Sequence, residues 1–119
     1  MSDEICLDPA ALARLRELGG AGFTHQMLGL FLDLAREKLG AAQAAEQGGD
    51  LPGIQKAIHP LRSSSGNVGA VRMLGLATRI EGLAMAGEGE EISPLLRELE
   101  AAFAQVKPQL EREREALGV

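Results

Sequence analysis

Residues Ala57–Ala70 read AIHPLRSSSGNVGA. Extended back to Leu51, this stretch carries Leu51, Ile54, Ile58, Leu61, Ser65 and Val68 at steps of three and four, the spacing of a helix seam in a bundle. It also holds Pro60, the serines Ser63, Ser64 and Ser65, and the glycines Gly66 and Gly69, all poor helix formers. At about 100° per residue, His59 falls roughly 130° from the centre of the apolar stripe, which predicts an imidazole in solvent. Gln55, Lys56, Arg62, Ser63 and Gly66 share that side, with Pro52 a turn further back. The helix therefore presents a histidine between two cations on ground kept low by small residues. Ser63 and Gly66 leave room for a partner's backbone, while Ser64, Ser65 and Gly69 are expected to let the next helix approach closely.

The flanking sequence supplies the rest of a helical domain. Asp8 and Pro9 form a helix start, with Asp as N-cap and Pro at the first helical position. Leu12, Leu15 and Leu18 then share a face, and Gly19-Gly20 stops this short helix. A second start is read at Thr24, with Phe23 and Leu28 placed for a hydrophobic staple. Leu28, Phe31, Leu32, Ala35, Leu39 and Ala42 continue at helical spacing to Gly48-Gly49. Asp50 is placed to cap the helix that carries His59. GNVGA weakens or bends that helix, and the next runs from about Ala70 to Ala86. GEGEE is a turn. Ser93-Pro94 opens a last helix with Leu95, Leu96, Leu99, Phe103, Val106 and Leu110 for the core, and Pro108 is expected to kink or interrupt it.

Short loops make consecutive helices antiparallel neighbours. The expected fold is all-α: an antiparallel four-helix up-and-down bundle with a short additional N-terminal helix. At 119 residues it forms a single domain, 1–119.

Composition narrows the function. The chain has 17 acidic and 12 basic side chains, a formal net charge of −5, which argues against a nucleic-acid surface. The single cysteine, Cys6, excludes an internal disulfide. MSDEICLDP lacks the basic start and apolar run of a signal peptide, and no apolar stretch is long enough to span a bilayer. A cytoplasmic location without membrane partners is expected.

A neutral imidazole in water is a nucleophile that needs no general base. Lys56 and Arg62, about one turn before and after His59, are placed to steady the anionic oxygens of a phosphoryl group. The chemistry this face suits is reversible phosphorylation on nitrogen.

HPLRSSSGNVGA resembles the signature of histidine-containing phosphotransfer (HPt) domains, H-x-L-K-G-S-S-x-x-(L/I/V)-G-A. His59 stands at the phosphorylated histidine, Leu61 at the buried leucine and Arg62 at the basic position. Ser64 and Ser65 match the small pair, Val68 the apolar position and Gly69-Ala70 the closing pair. VRMLGLATRIEGLA resembles the family's next helix, with Met73, Leu76, Ala77, Ile80 and Glu81 in the expected places. The likeness covers nearly the whole chain. Three departures stand out: Ser63 where the family most often has Gly, Arg62 for the commoner Lys, and Pro60 directly after the histidine. Pro60 removes a backbone donor and is expected to leave the Lys56 carbonyl with a local bend or a water.

The resemblance implies a phosphorelay intermediate. His59 takes a phosphoryl group from the aspartyl phosphate of a receiver domain and passes it to another receiver. Mg²⁺ belongs to the receiver, and this chain binds no cofactor or metal of its own. The implied partners are response-regulator receiver domains and a hybrid histidine kinase, with the chain itself a monomer. Without a Gly-rich nucleotide loop it is not expected to phosphorylate itself from ATP. Three other readings compete. A non-catalytic docking or adaptor module for receiver or kinase domains would use the same face without phosphotransfer. A kinase dimerisation hairpin would carry an acid directly after the histidine, where this chain has Pro60. A Ser63–His59 hydrolase would need an orienting acid, an oxyanion site and a pocket. His25 and His59 lack metal-ligand spacing, and His25 is expected to face solvent from a first helical turn.

Overall fold

The structure, a computed structural model, describes residues 6–119; residues 1–5, on which part of the signal-peptide reading falls, lie outside it. Four α-helices follow one another: α1 (Pro9–Gln47), α2 (Leu51–Val68), α3 (Val71–Met85) and α4 (Ile92–Ala116), with a 3₁₀ turn at Gly89–Glu91 before the last. There are no strands among the described residues. Each helix packs on the next, and α4 closes back on α1. One continuous apolar core fills the space between them, built from the stripes read in the sequence.

α1 starts as expected: the Asp8 carboxylate accepts from the Ala10 N–H at 3.0 Å, and Pro9 opens the helix. The break between its two arms is a single residue, Gly20, at φ 84° and ψ −172°. Only glycine enters that region without strain. The helix resumes at once, which corrects the predicted start at Thr24. Thr24 is buried inside the second arm, and its hydroxyl donates to the Gly20 carbonyl at 2.8 Å. It closes the turn after the break, so no helix start exists there for a Phe23–Leu28 staple to fix. Leu18 is also corrected: it is 78% exposed, while Leu12 and Leu15 are buried. Leu18 stands at the end of the first arm, two residues before the Gly20 break, and lies outside the core that Leu12 and Leu15 join.

α2 is capped by Asp50, whose side chain accepts from the Gly53 N–H at 3.0 Å. GNVGA ends the helix outright. Gly69 takes φ 79°, and the Ala70 and Gly69 N–H groups donate back to the carbonyls of Ser65 and Gly66, a Schellman closure. The first arm of α1 docks on this corner: the Asp8 N–H donates to the Gly69 carbonyl at 2.8 Å, and a Cβ on Gly69 would lie 2.5 Å from the Asp8 oxygen. The close approach at Gly69 thus serves the first arm of α1 and not the helix that follows. α2 runs through Pro60, and α4 runs through Pro108 without the expected interruption.

Candidate functional site

The inner stripe of α2 fixes the direction of His59. Ile54, Ile58, Leu61, Ser65 and Val68 are all buried, so the helix has one possible phase. In that phase His59 faces outward, with 65% of its side chain exposed. α3 lies alongside and is apolar on its own inner face at Met73, Leu76, Ala77, Ile80 and Ala84. In the same buried phase stands one carboxylate, Glu81, only 3% exposed.

A buried carboxylate must be paired, and α2 supplies the partners. Gln55, His59 and Arg62 stand at i, i+4 and i+7 on one face of the helix. Glu81 Oε2 accepts from Gln55 Nε2 at 2.7 Å and meets His59 Nδ1 at 2.6 Å; Oε1 accepts from Arg62 Nη1 at 2.8 Å. Burial pushes the Glu81 carboxyl up, but the hydrogen bonds from Arg62, then Gln55 and His59, and the charge on the His59 ring outweigh it. The net result lies below the ordinary value.

That ionisation settles the histidine tautomer. An ionised carboxylate only accepts, so Nδ1 must carry the proton. In the neutral ring the lone pair then sits on Nε2, the nitrogen turned away from Glu81. The sequence holds a signal for Glu81: a single acid within the apolar phase of α3. By resemblance Glu81 falls in an expected place of the family's helix, but no role follows from the sequence, because its partners lie on another helix.

The other candidate residues distribute as follows. Lys56 is exposed and makes no ion pair with a described residue. Arg62 spends one nitrogen on Glu81 and keeps 45% of its side chain in solvent. Ser63 and Gly66 line a shallow open hollow with His59, Arg62, Asn67 and Leu74. A Cβ on Gly66 would sit 3.7 Å from Leu74, an ordinary contact. Ser64 donates to the Pro60 carbonyl at 2.7 Å and faces Met27, Leu30, Phe31 and Leu34 of α1. Ser65 is buried among the helices, and its hydroxyl has no partner among the described residues.

His25 differs from expectation. It is half-buried: Arg114 Nε donates to its carbonyl at 3.1 Å, and Arg114 Nη2 lies 3.4 Å from its Nδ1. Among the described residues no three His, Cys, Asp or Glu side chains gather as a metal site. Among the described residues no helix is long and apolar enough to cross a membrane.

Comparison with known proteins identifies the family and the fold. The family model for the Hpt domain matches residues 26–109, which include the whole of α2 and α3. Histidine-containing phosphotransfer protein B (HptB) from Pseudomonas aeruginosa superposes with a TM-score of 0.88 at 30% identity, over 93% of this chain and 96% of that one. The HPT domain of a sensor hybrid histidine kinase from Shewanella gives a TM-score of 0.82 at 20% identity, over 96% and 97%. The comparison with curated proteins returned no match.

Proposed function

The chain belongs to the Hpt domain family, whose activity is histidine phosphotransfer in a phosphorelay, and we propose that His59 is the residue that carries the phosphoryl group. The observation that supports this most strongly is the pairing of an exposed ring with a buried acceptor: Glu81 holds Nδ1–H at 2.6 Å and leaves Nε2 bare toward solvent.

The partners are receiver domains and a hybrid kinase. A receiver docks over the hollow at Ser63 and Gly66 and brings its aspartyl phosphate to Nε2. The Nε2 lone pair attacks phosphorus in line, the acyl O–P bond breaks, and its electron pair leaves with the receiver's carboxylate. The ring becomes cationic, and the buried Glu81 carboxylate lies against that charge. This chain mainly positions the nucleophile and neutralises charge, which is most of what phosphoryl transfer asks of a protein. Lys56 is available to the phosphoryl oxygens. Arg62 contributes its remaining donors from its place on Glu81. Gln55 sits on the docking side and also steadies Glu81. The reverse sequence delivers the group to a second receiver. Mg²⁺ is carried by the receiver in this reading, and the chain acts as a monomer, away from nucleic acid and membrane, without autophosphorylation from ATP.

The test mixes the purified chain with a phosphorylated receiver and Mg²⁺ and follows acid-labile, alkali-stable phosphate on the chain. Label is expected on wild type and His25→Gln and not on His59→Gln. Label that persists in His59→Gln would overturn the assignment. A folded wild type that binds receivers and takes no label would leave a docking module in its place.

A further inference from the structure

Attack by Nε2 creates a ring with phosphorus on one nitrogen and the proton still on the other. While Nδ1 keeps that proton, the N–P bond breaks readily, because the leaving group is a neutral imidazole. Once Nδ1 loses it, the leaving group would be an imidazolate anion, and the phosphoryl group stays in place. In water a phosphorylated imidazole gives up this proton near neutral pH. The partner of Nδ1 therefore decides whether the phosphohistidine is ready to transfer or stored.

We propose that Glu81 keeps the phosphorylated His59 ring protonated on Nδ1, so that this chain is built for rapid onward transfer and not for holding phosphate. The inference rests on His59 being the phosphoacceptor and goes beyond it to the lifetime of the intermediate. Glu81 Oε2 lies 2.6 Å from Nδ1, and the carboxylate is 3% exposed, so water competes little for that contact. The second hydrogen bond to the same oxygen, from Gln55 at 2.7 Å, fixes its direction without removing its charge. Arg62 sits on the other oxygen, where it offsets part of the attraction. Lys56, one turn before His59, is the remaining cation of that face. Among the described residues, α1 and α4 place no ionisable side chain in hydrogen-bond or ion-pair contact with this cluster.

The step balances simply. An oxygen of the receiver's carboxylate, or of water, takes phosphorus. The N–P electron pair returns to Nε2, Nδ1 keeps its proton, and the ring is restored in the tautomer from which it began. A neutral partner at position 81 would support that protonated ring less well.

The test loads wild type, Glu81→Gln and Arg62→Gln with phosphoramidate, which bypasses the receiver, and follows loss of phosphohistidine to water from mildly acidic to alkaline pH. In wild type, fast loss should persist to higher pH than in Glu81→Gln. In the alkaline range the variant should lose phosphate about tenfold more slowly, the scale of an adjacent opposite charge partly offset by Arg62. Arg62→Gln should move the profile the other way, a signed pair that a merely structural contact would not give. Superimposable profiles for wild type and Glu81→Gln, with label on His59 in both, would overturn this inference and leave His59 as phosphoacceptor. No label on His59 in any of the three would overturn both readings.

Discussion

His25 is half-buried and His59 exposed, and each engages a charged residue of another helix through Nδ1. The partner of His25 is Arg114, whose guanidinium only donates. Nδ1 of neutral His25 must therefore accept, and the ring proton lies on Nε2. The partner of His59 is Glu81, which only accepts, so the proton lies on Nδ1 and the lone pair on Nε2. With the same side chain and the same nitrogen engaged, the partner's sign gives opposite tautomers. His25 offers an N–H, and His59 offers a nucleophile. Exposure alone would not have separated them so clearly.

The two regions should also respond differently to mutation. The largest effect is expected at the acidic node. Arg62→Ala leaves Glu81 Oε1 without its donor and should cost about 1–2 kcal/mol, the low end for a bond to a charged group, because much of the guanidinium is in water. Denaturant unfolding at neutral pH measures it. The same node has a pH signature. The Glu81 carboxyl lies below its ordinary value in the folded chain, so the unfolded chain binds more protons in acid. The stability it adds is fully present above the ordinary carboxylate value of 4.5 and is lost as pH falls through its lower folded value. The Arg62→Ala deficit should therefore shrink in acid, and a deficit unchanged by acid would assign it to packing.

A smaller effect is expected at the basic pair. Arg114→Ala removes a hydrogen bond to the His25 carbonyl and should cost about 0.5–1 kcal/mol, with phosphate uptake on His59 unchanged. A loss of uptake would mean that the two regions are coupled. The smallest effect lies under the docking face. Ser65 buries a hydroxyl with no partner among the described residues, so Ser65→Ala should be neutral or stabilise by up to about 1 kcal/mol in thermal unfolding. A clear destabilisation would show that this hydroxyl has a partner.

The contrast between the histidines also marks what the sequence could say. The stripe of α2 is local, so periodicity alone turned His59 outward and buried Ile58 and Leu61. The caps at Asp8 and Asp50 are local and were legible in the same way. The Gly20 break was legible as a stop, but not the immediate restart, because Thr24 looks like a cap and in fact bonds back to Gly20. Arg114 lies 89 residues from His25, and Glu81 lies 22 from His59. No local pattern announces either pairing. Glu81 did leave a trace, as a charge within an apolar phase, whereas His25 left none.

The central claim is that Glu81 sets the nucleophilic atom of His59, and nitrogen-15 NMR of the imidazoles, before and after phosphate loading, tests it most directly. The prediction is a His59 ring protonated on Nδ1 with a bare Nε2, and a phosphorus coupling at Nε2 of that ring alone after loading. A bare Nδ1 on His59, or phosphorus on Nδ1 or on His25, would contradict the account.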